Sequence, residues 1–132
     1  MRIVLIAGAL FAASWCGPVS AQAAPYPNKP IKLVVGFAPG GAADFVARTL
    51  GESLARSLGQ TIVIENRPGA GSSVAADAVA KAAPDGYTLL IASPSSISVN
   101  PALNPKLGYS AGDLTPVTKL TSSPLVIAAH PG

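Results

Sequence analysis

Between Ile31 and Ala92 the apolar residues change their spacing four times, and this alternation admits few architectures. Ile31 to Phe37 (IKLVVGF) is an apolar run bounded by Pro30 and by Pro39-Gly40-Gly41, the pattern of a strand covered on both faces. From Ala43 to Leu58 the spacing turns helical. Val46, Ala47, Leu50, Leu54 and Leu58 share one face, with Arg48, Glu52 and Arg56 opposite. Asp44 stands near the start of this helix and Gly59 at its end, the residue types favoured there. Thr61 to Glu65 (TIVIE) is short and β-branched, closed by Asn66-Arg67-Pro68-Gly69. A second helix is expected over about Ser72 to Ala83, with Val74, Ala75, Ala78, Val79 and Ala82 on one stripe and Asp77 four residues before Lys81 on the other side. Pro84-Asp85-Gly86 ends it, and Tyr87 to Ala92 (YTLLIA) reads as a third strand.

The order β, α, β, α, β predicts parallel pairing through right-handed crossovers, hence an open sheet with helices on both faces. The expected fold class is α/β, as one half of a doubly wound domain. Beyond Ser93 the pattern loosens. Asn100-Pro101, Asn104-Pro105 and Gly108 to Gly112 form a turn-rich stretch, followed by two candidate strands, Val117 to Leu120 and Leu125 to Ala129. The chain stops at His130-Pro131-Gly132, directly after the last of these, so the lobe is expected to be incomplete.

The N-terminus predicts the compartment. Met1 and Arg2 precede an apolar run from Ile3 to Ala13, which Ser14 and Gly17-Pro18 interrupt before the small residues Ser20, Ala21, Ala23 and Ala24. Residues 1–24 therefore read as a secretory signal peptide, with cleavage after Ala21, Ala23 or Ala24. Spanning a bilayer takes about 20 apolar residues, more than this run offers, so no stable membrane insertion is expected after cleavage. The one cysteine, Cys16, falls inside the leader, behind bulky Trp15. Residues 25–132 then form no disulfide, which suits an oxidising periplasm.

Charge excludes some functions. Nine Lys and Arg against six Asp and Glu give +3, and without Arg2 the balance is 8 − 6 = +2. The cations are scattered singly, so no nucleic-acid partner is expected. With 49% hydrophobic and 11% charged residues, neither a charged disordered tail nor a coiled coil fits.

In open parallel sheets, ligands bind beyond the carboxyl ends of the strands. Three loops lead away from those ends: residues 38–44 with Pro39, Gly40, Gly41 and Asp44, residues 66–73 with Arg67, Gly69, Ala70, Gly71 and Ser72, and residues 93–96 with Ser93, Ser95 and Ser96. Glycine allows close backbone approach, and a helix N-terminus carries about half a positive charge, so the three together suit a small carboxylate. Taken singly each loop is equally well a turn. Asp44 suits a helix-start role or a ligand contact, and Arg67 a bidentate carboxylate partner or a surface cation. Gly69-Ala70-Gly71 lacks the third glycine of a dinucleotide fingerprint, since Val74 stands there.

Catalysis is not expected. His130, the one histidine, lies at the very end, the acids are spread singly, and no zinc spacing exists. No cofactor is expected.

Several motifs are long enough to be specific: Tyr26-Pro27-Asn28-Lys29-Pro30-Ile31, Pro39-Gly40-Gly41-x-x-Asp44, Glu65-Asn66-Arg67-Pro68-Gly69-Ala70-Gly71, Ala82-Ala83-Pro84-Asp85-Gly86-Tyr87-Thr88-Leu89-Leu90, Asn100-Pro101 and Thr115-Pro116-Val117. They resemble the Bug receptors, also called the TctC family, the periplasmic substrate-binding proteins of tripartite tricarboxylate transporters. The resemblance runs from about Pro25 to Gly132, with Ser72 where a further glycine is common and Ile97 where a histidine often precedes Asn-Pro. It implies a type II periplasmic-binding-protein lobe, of which residues 25–132 are the N-terminal part. It also implies a two-lobed clamp that holds a carboxylate with backbone N–H groups, hydroxyls and water, and delivers it to membrane permease subunits. A receptor feeding a sensor, an α/β enzyme with catalytic groups beyond Gly132, and a truncated product without function remain as alternatives.

Overall fold

The computed structural model describes residues 25–122 and 127–129; the signal-peptide reading, His130 and residues 125–126 of the last candidate strand lie outside them. Three strands, β1 (Ile31–Val35), β2 (Ile62–Asn66) and β3 (Thr88–Ile91), alternate with two helices, α1 (Ala42–Leu58) and α2 (Ser73–Ala80). A π-helical turn at Ser95–Val99 then runs into the short α3 (Asn100–Leu103). The expected α/β class and parallel sheet are observed: the strands lie in the order β2-β1-β3, both pairings parallel.

That order follows from the apolar content of β1. In register, Leu33 lies between Ile64 and Leu89, and Val35 between Asn66 and Ile91. On this face Leu33, Val35 and Ile91 pack with Ala47 of α1, and Ala43, Leu50, Ile62, Ile64 and Leu89 surround them. Gly51 brings α1 close, since a Cβ there would stand 3.2 Å from Ile64. On the other face Val34 is buried and α2 packs on β3 and β1 through the buried Ala75 and Ala76. The crossovers run in opposite directions, from β1 out to β2 and then from β2 across β1 to β3, so right-handedness sends α1 and α2 to opposite faces.

The structure shifts several sequence-based boundaries. β1 ends at Val35 because the carbonyl of Val35 takes the last ladder bond from the Arg67 N–H (2.8 Å) and Ser72 then covers Gly36. α2 starts at Ser73, since Ser72 sits at φ 71° and cannot be helical. This rotates the helix so that Val74, placed on the core stripe by sequence, is half exposed and the small Ala75 and Ala76 meet the sheet. After Ala80 the chain tightens, with the Ala82 N–H donating to the Val79 carbonyl (3.0 Å). The candidate strand Val117 to Leu120 is not one: the segment is irregular, Val117 is exposed, and no described strand pairs with it. Residues 127–129 are likewise not strand. Conversely, part of the turn-rich stretch is the helical segment 95–103.

At the amino end of the sheet, the segment before β1 is tied to the entry of β3. The Tyr26 hydroxyl donates to the Gly86 carbonyl (2.9 Å), the Asn28 N–H donates to the Tyr87 hydroxyl (2.9 Å), and Lys29 pairs with Asp85 (3.0 Å) over the Tyr87 ring. The opposite end carries the loops.

Because a Cβ on Gly36 would fall inside the Ser72 side chain, Gly36→Ala is expected to lower the unfolding free energy by about 1–3 kcal/mol, as overpacking does. Adding Ser72→Gly should recover part of the loss, the rest remaining because the backbone Cα of residue 72 still stands 2.9 Å from the new Cβ, read as the midpoint of urea unfolding.

Candidate functional site

With β1 central, the loops after the three strands stand at the carboxyl end of the sheet, where folds of this kind place a ligand crevice. The first loop is organised by Asp44, the third residue of α1. Its buried carboxylate accepts the Gly40 N–H (2.9 Å), Arg48 Nε on Oδ2 (2.9 Å), Arg48 Nη2 on Oδ1 (3.1 Å) and Asn66 Nδ2 on Oδ1 (2.9 Å). The Arg48 hydrogen bonds, then those from Gly40 and Asn66, hold the Asp44 carboxyl well below its usual range, and Asp44 in turn raises the Arg48 guanidinium. Gly40 turns the chain at φ 84°. Gly41 caps α1 without a side-chain cap bond, and the one carboxylate in the first turn, Asp44, is turned to Gly40, Arg48 and Asn66. Pro39 and Gly41 are exposed on the rim.

The second loop takes an uncommon course. Gly69, Ala70, Gly71 and Ser72 all have positive φ, at 138°, 45°, 61° and 71°, and for the two non-glycines this costs about 1–2 kcal/mol each. The Asn100 carboxamide holds the turn, its two Nδ2 hydrogens shared among the carbonyls of Ala70 (3.0 Å) and Gly71 (3.1 Å) and Ser73 Oγ (2.7 Å). Ser72 is buried against Gly36, and its hydroxyl has no partner among the described residues. Arg67 turns its guanidinium to Glu65, which Lys32 also pairs at 3.0 Å. Both cations hold the Glu65 carboxyl low, Arg67 more than Lys32.

The third loop is bonded largely to itself. Ser96, fully buried, receives the Ser93 N–H on Oγ (3.1 Å) and donates that hydroxyl to the Ser93 carbonyl (3.0 Å). The Tyr109 hydroxyl donates to the Ser96 carbonyl (2.6 Å) and reaches Ser73 Oγ (3.4 Å). The Ser95 hydroxyl, half-buried, makes no protein hydrogen bond among the described residues.

The three loops therefore gather at one end of the sheet. Asn66 joins the first to the end of β2 through Asp44 and the Phe37 carbonyl (3.1 Å), and Asn100 with Tyr109 joins the second to the third. The sequence-chosen residues divide into two groups. The Gly40 N–H and the side chains of Asp44, Arg67, Ser93 and Ser96 are engaged by the protein itself. The first turn of α1 behind Gly41, with the Ser95 hydroxyl, remains open. Sequence reasoning missed Gly36, Asn66, Asn100 and Tyr109 as the parts that hold the loops; Asn66 and Asn100 lie in the quoted motifs, but their side-chain partners are distant in sequence. Two concavities of about 410 and 370 Å³ lie away from this crevice, one lined by residues including Pro101, Leu107 and Asp113, the other by residues including Arg48, Glu52 and Ile62. Among the described residues no cluster of three His, Cys, Asp or Glu offers a metal site, and no helix is long and apolar enough to cross a membrane.

A model of the TctC family, the tripartite tricarboxylate transporter family receptor, matches residues 46–132. The chain belongs to this family. Among TctC relatives, BugT of Bordetella pertussis is 43% identical over 133 residues, covering 98% of this chain and 40% of BugT. MatC of Rhodopseudomonas palustris, solved with bound malate, is 46% identical with a TM-score of 0.67 over 72% of this chain and 33% of MatC. The periplasmic binding protein BugD is 42% identical with a TM-score of 0.53 over 65% of this chain and 28% of BugD. The chain thus spans two fifths or less of the length of these TctC relatives. The family is described as a receptor family, and BugD as a periplasmic binding protein.

The depressed Asp44 carboxyl sets the sign of a pH dependence. The unfolded chain binds this proton more readily than the native one, so the stability from Asp44 is complete above the ordinary carboxylate pKa of about 4 and is lost as pH falls below it. Glu65 and Asp85, also held low, act in the same direction. Asp44→Asn should destabilise the protein near pH 7, and the gap from the unaltered protein should shrink by about pH 3.5, measured by urea midpoints at both values.

Proposed function

We propose that this chain is the N-terminal part of the first lobe of an exported receptor. It captures a small carboxylate in the periplasm and presents it to the permease subunits of a tripartite transporter. Residues 1–24 act as the export signal in this reading, and residues 25–132 supply one wall of the binding cleft. The observation that carries it is the open N-terminus of α1 at the meeting point of three loops. Uncapped first-turn N–H groups and about half a positive charge favour a carboxylate at that point. The hydroxyl of Ser95 and the backbone of Pro39, Gly40, Gly41, Gly69, Ala70 and Gly71 line the approach, while Ser72 shapes it by its packing on Gly36 and Asp44, Arg67, Ser93 and Ser96 through their bonds to the protein. The family's description as a transporter receptor and the malate bound in MatC support the ligand class.

Capture of this kind needs oriented donors and a second wall that closes over the ligand. It moves no proton and breaks no bond, in keeping with loops that present amides and hydroxyls.

Malate, succinate and citrate should raise the melting temperature of the purified protein, while ATP should not. A ligand at a hundred times its Kd adds about 2.7 kcal/mol to stability, enough to read clearly. A shift with ATP and none with the acids would overturn the reading. Gly41→Val tests the first loop, since Gly41 has ordinary extended φ and ψ and a Cβ there would meet only the Ala38 carbonyl at 3.7 Å. The variant should fold, with about 1 kcal/mol of stability lost because valine is a poor helix-cap residue, and bind the acids more weakly, as measured by titration calorimetry well below its unfolding temperature.

A further inference from the structure

We propose that Asn100 is a positioning residue for the ligand rim, holding the second loop in its left-handed course from an anchor on the third. This rests on the receptor reading above and names the residue on which the shape of that site depends.

The argument starts from the backbone. Ala70 and Ser72 lie at φ 45° and 71°, where L-residues are disfavoured and a short loop without tertiary bonds relaxes toward right-handed φ. Within the loop itself, the Ser73 N–H reaches the Ala70 carbonyl. Packing against Gly36 holds Ser72, and the polar restraint on Ala70 and Gly71 comes from Asn100, which bonds their carbonyls and the Ser73 hydroxyl at 3.0, 3.1 and 2.7 Å. Carbonyls accept only, which fixes the amide group of Asn100 on that side. The side chain also needs the space at residue 71, for a Cβ there would stand 3.0 Å from Nδ2. Asn100 opens α3 directly behind the turn that carries Ser95 and Ser96, so one carboxamide sets the spacing between two walls of the crevice. Tyr109 ties the same two loops, but at Ser73 and Ser96, beyond the strained residues.

The test is a rescue. In the unaltered protein, the tightest binder among malate, succinate and citrate is measured by calorimetry well below the unfolding temperature. Asn100→Ala should weaken it by about tenfold, the lower end of what outer partners contribute to the groups they orient at metal sites. Adding Ala70→Gly, which removes the penalty for positive φ, should restore most of the affinity although every Asn100 hydrogen bond is still missing. A purely structural role for Asn100 predicts no such recovery. Undiminished affinity in Asn100→Ala would overturn this inference alone, as would a folded double variant that binds no better than the single one. Should Asn100→Ala fail to fold, the double variant is the deciding measurement, with near-normal affinity expected. No binding of any of the three acids by the unaltered protein would overturn the receptor reading, and this inference with it.

Discussion

Everything in this fold depends on the burial of β1 on all sides. Ile31, Leu33, Val34 and Val35 are almost completely shielded from water, and a strand can reach that state only with a neighbour on each edge and a helix on each face. The order β2-β1-β3 meets the first requirement, and crossovers of one hand meet the second. The same arrangement makes the loops after β1 and β3 part company, so the site is a by-product of burying four apolar residues. A polar residue at Leu33 or Val35 would threaten the crevice as much as the core.

The loops that rim the crevice are held from a distance by side chains. Asn66 and Asn100 each stand where an element ends or begins, and each donates to groups 22 to 30 residues away in the chain. Their common feature is a short, stiff carboxamide that reaches main-chain carbonyls. Through them the apolar sheet and the polar rim behave as one body, and the turn containing Ala70 and Ser72 keeps a shape its own residues resist.

Much of this was legible in the sequence, because the signals were local. The period changes between Ile31 and Ala92 marked the strands and helices, and the motif resemblance marked the family. What escaped was settled by contacts between distant parts. Val74 belongs to the apolar stripe of α2 by spacing, yet the left-handed Ser72 rotates the helix and exposes it. Val117 to Leu120 has the composition of a strand, but a strand needs an edge to join, and composition says nothing of edges. Asp44 suits a helix-start role or a ligand contact by its position; four bonds to Gly40, Arg48 and Asn66 occupy its carboxylate, and while Gly40 and Arg48 lie four residues away on either side, Asn66 is 22 residues distant.

The pairing of Arg67 with Glu65, and of Asp44 with Arg48, has a further effect. In the receptor proposed above, an acid arriving at this rim would meet ion pairs and fixed dipoles where a bare cation would otherwise stand. The pull of a dipole fades faster with distance than that of a charge, so chloride or phosphate drifting past would feel little. Admission would then be governed by how well a molecule's outline matches the bends, and letting go would not require tearing apart a strong charge-to-charge bond.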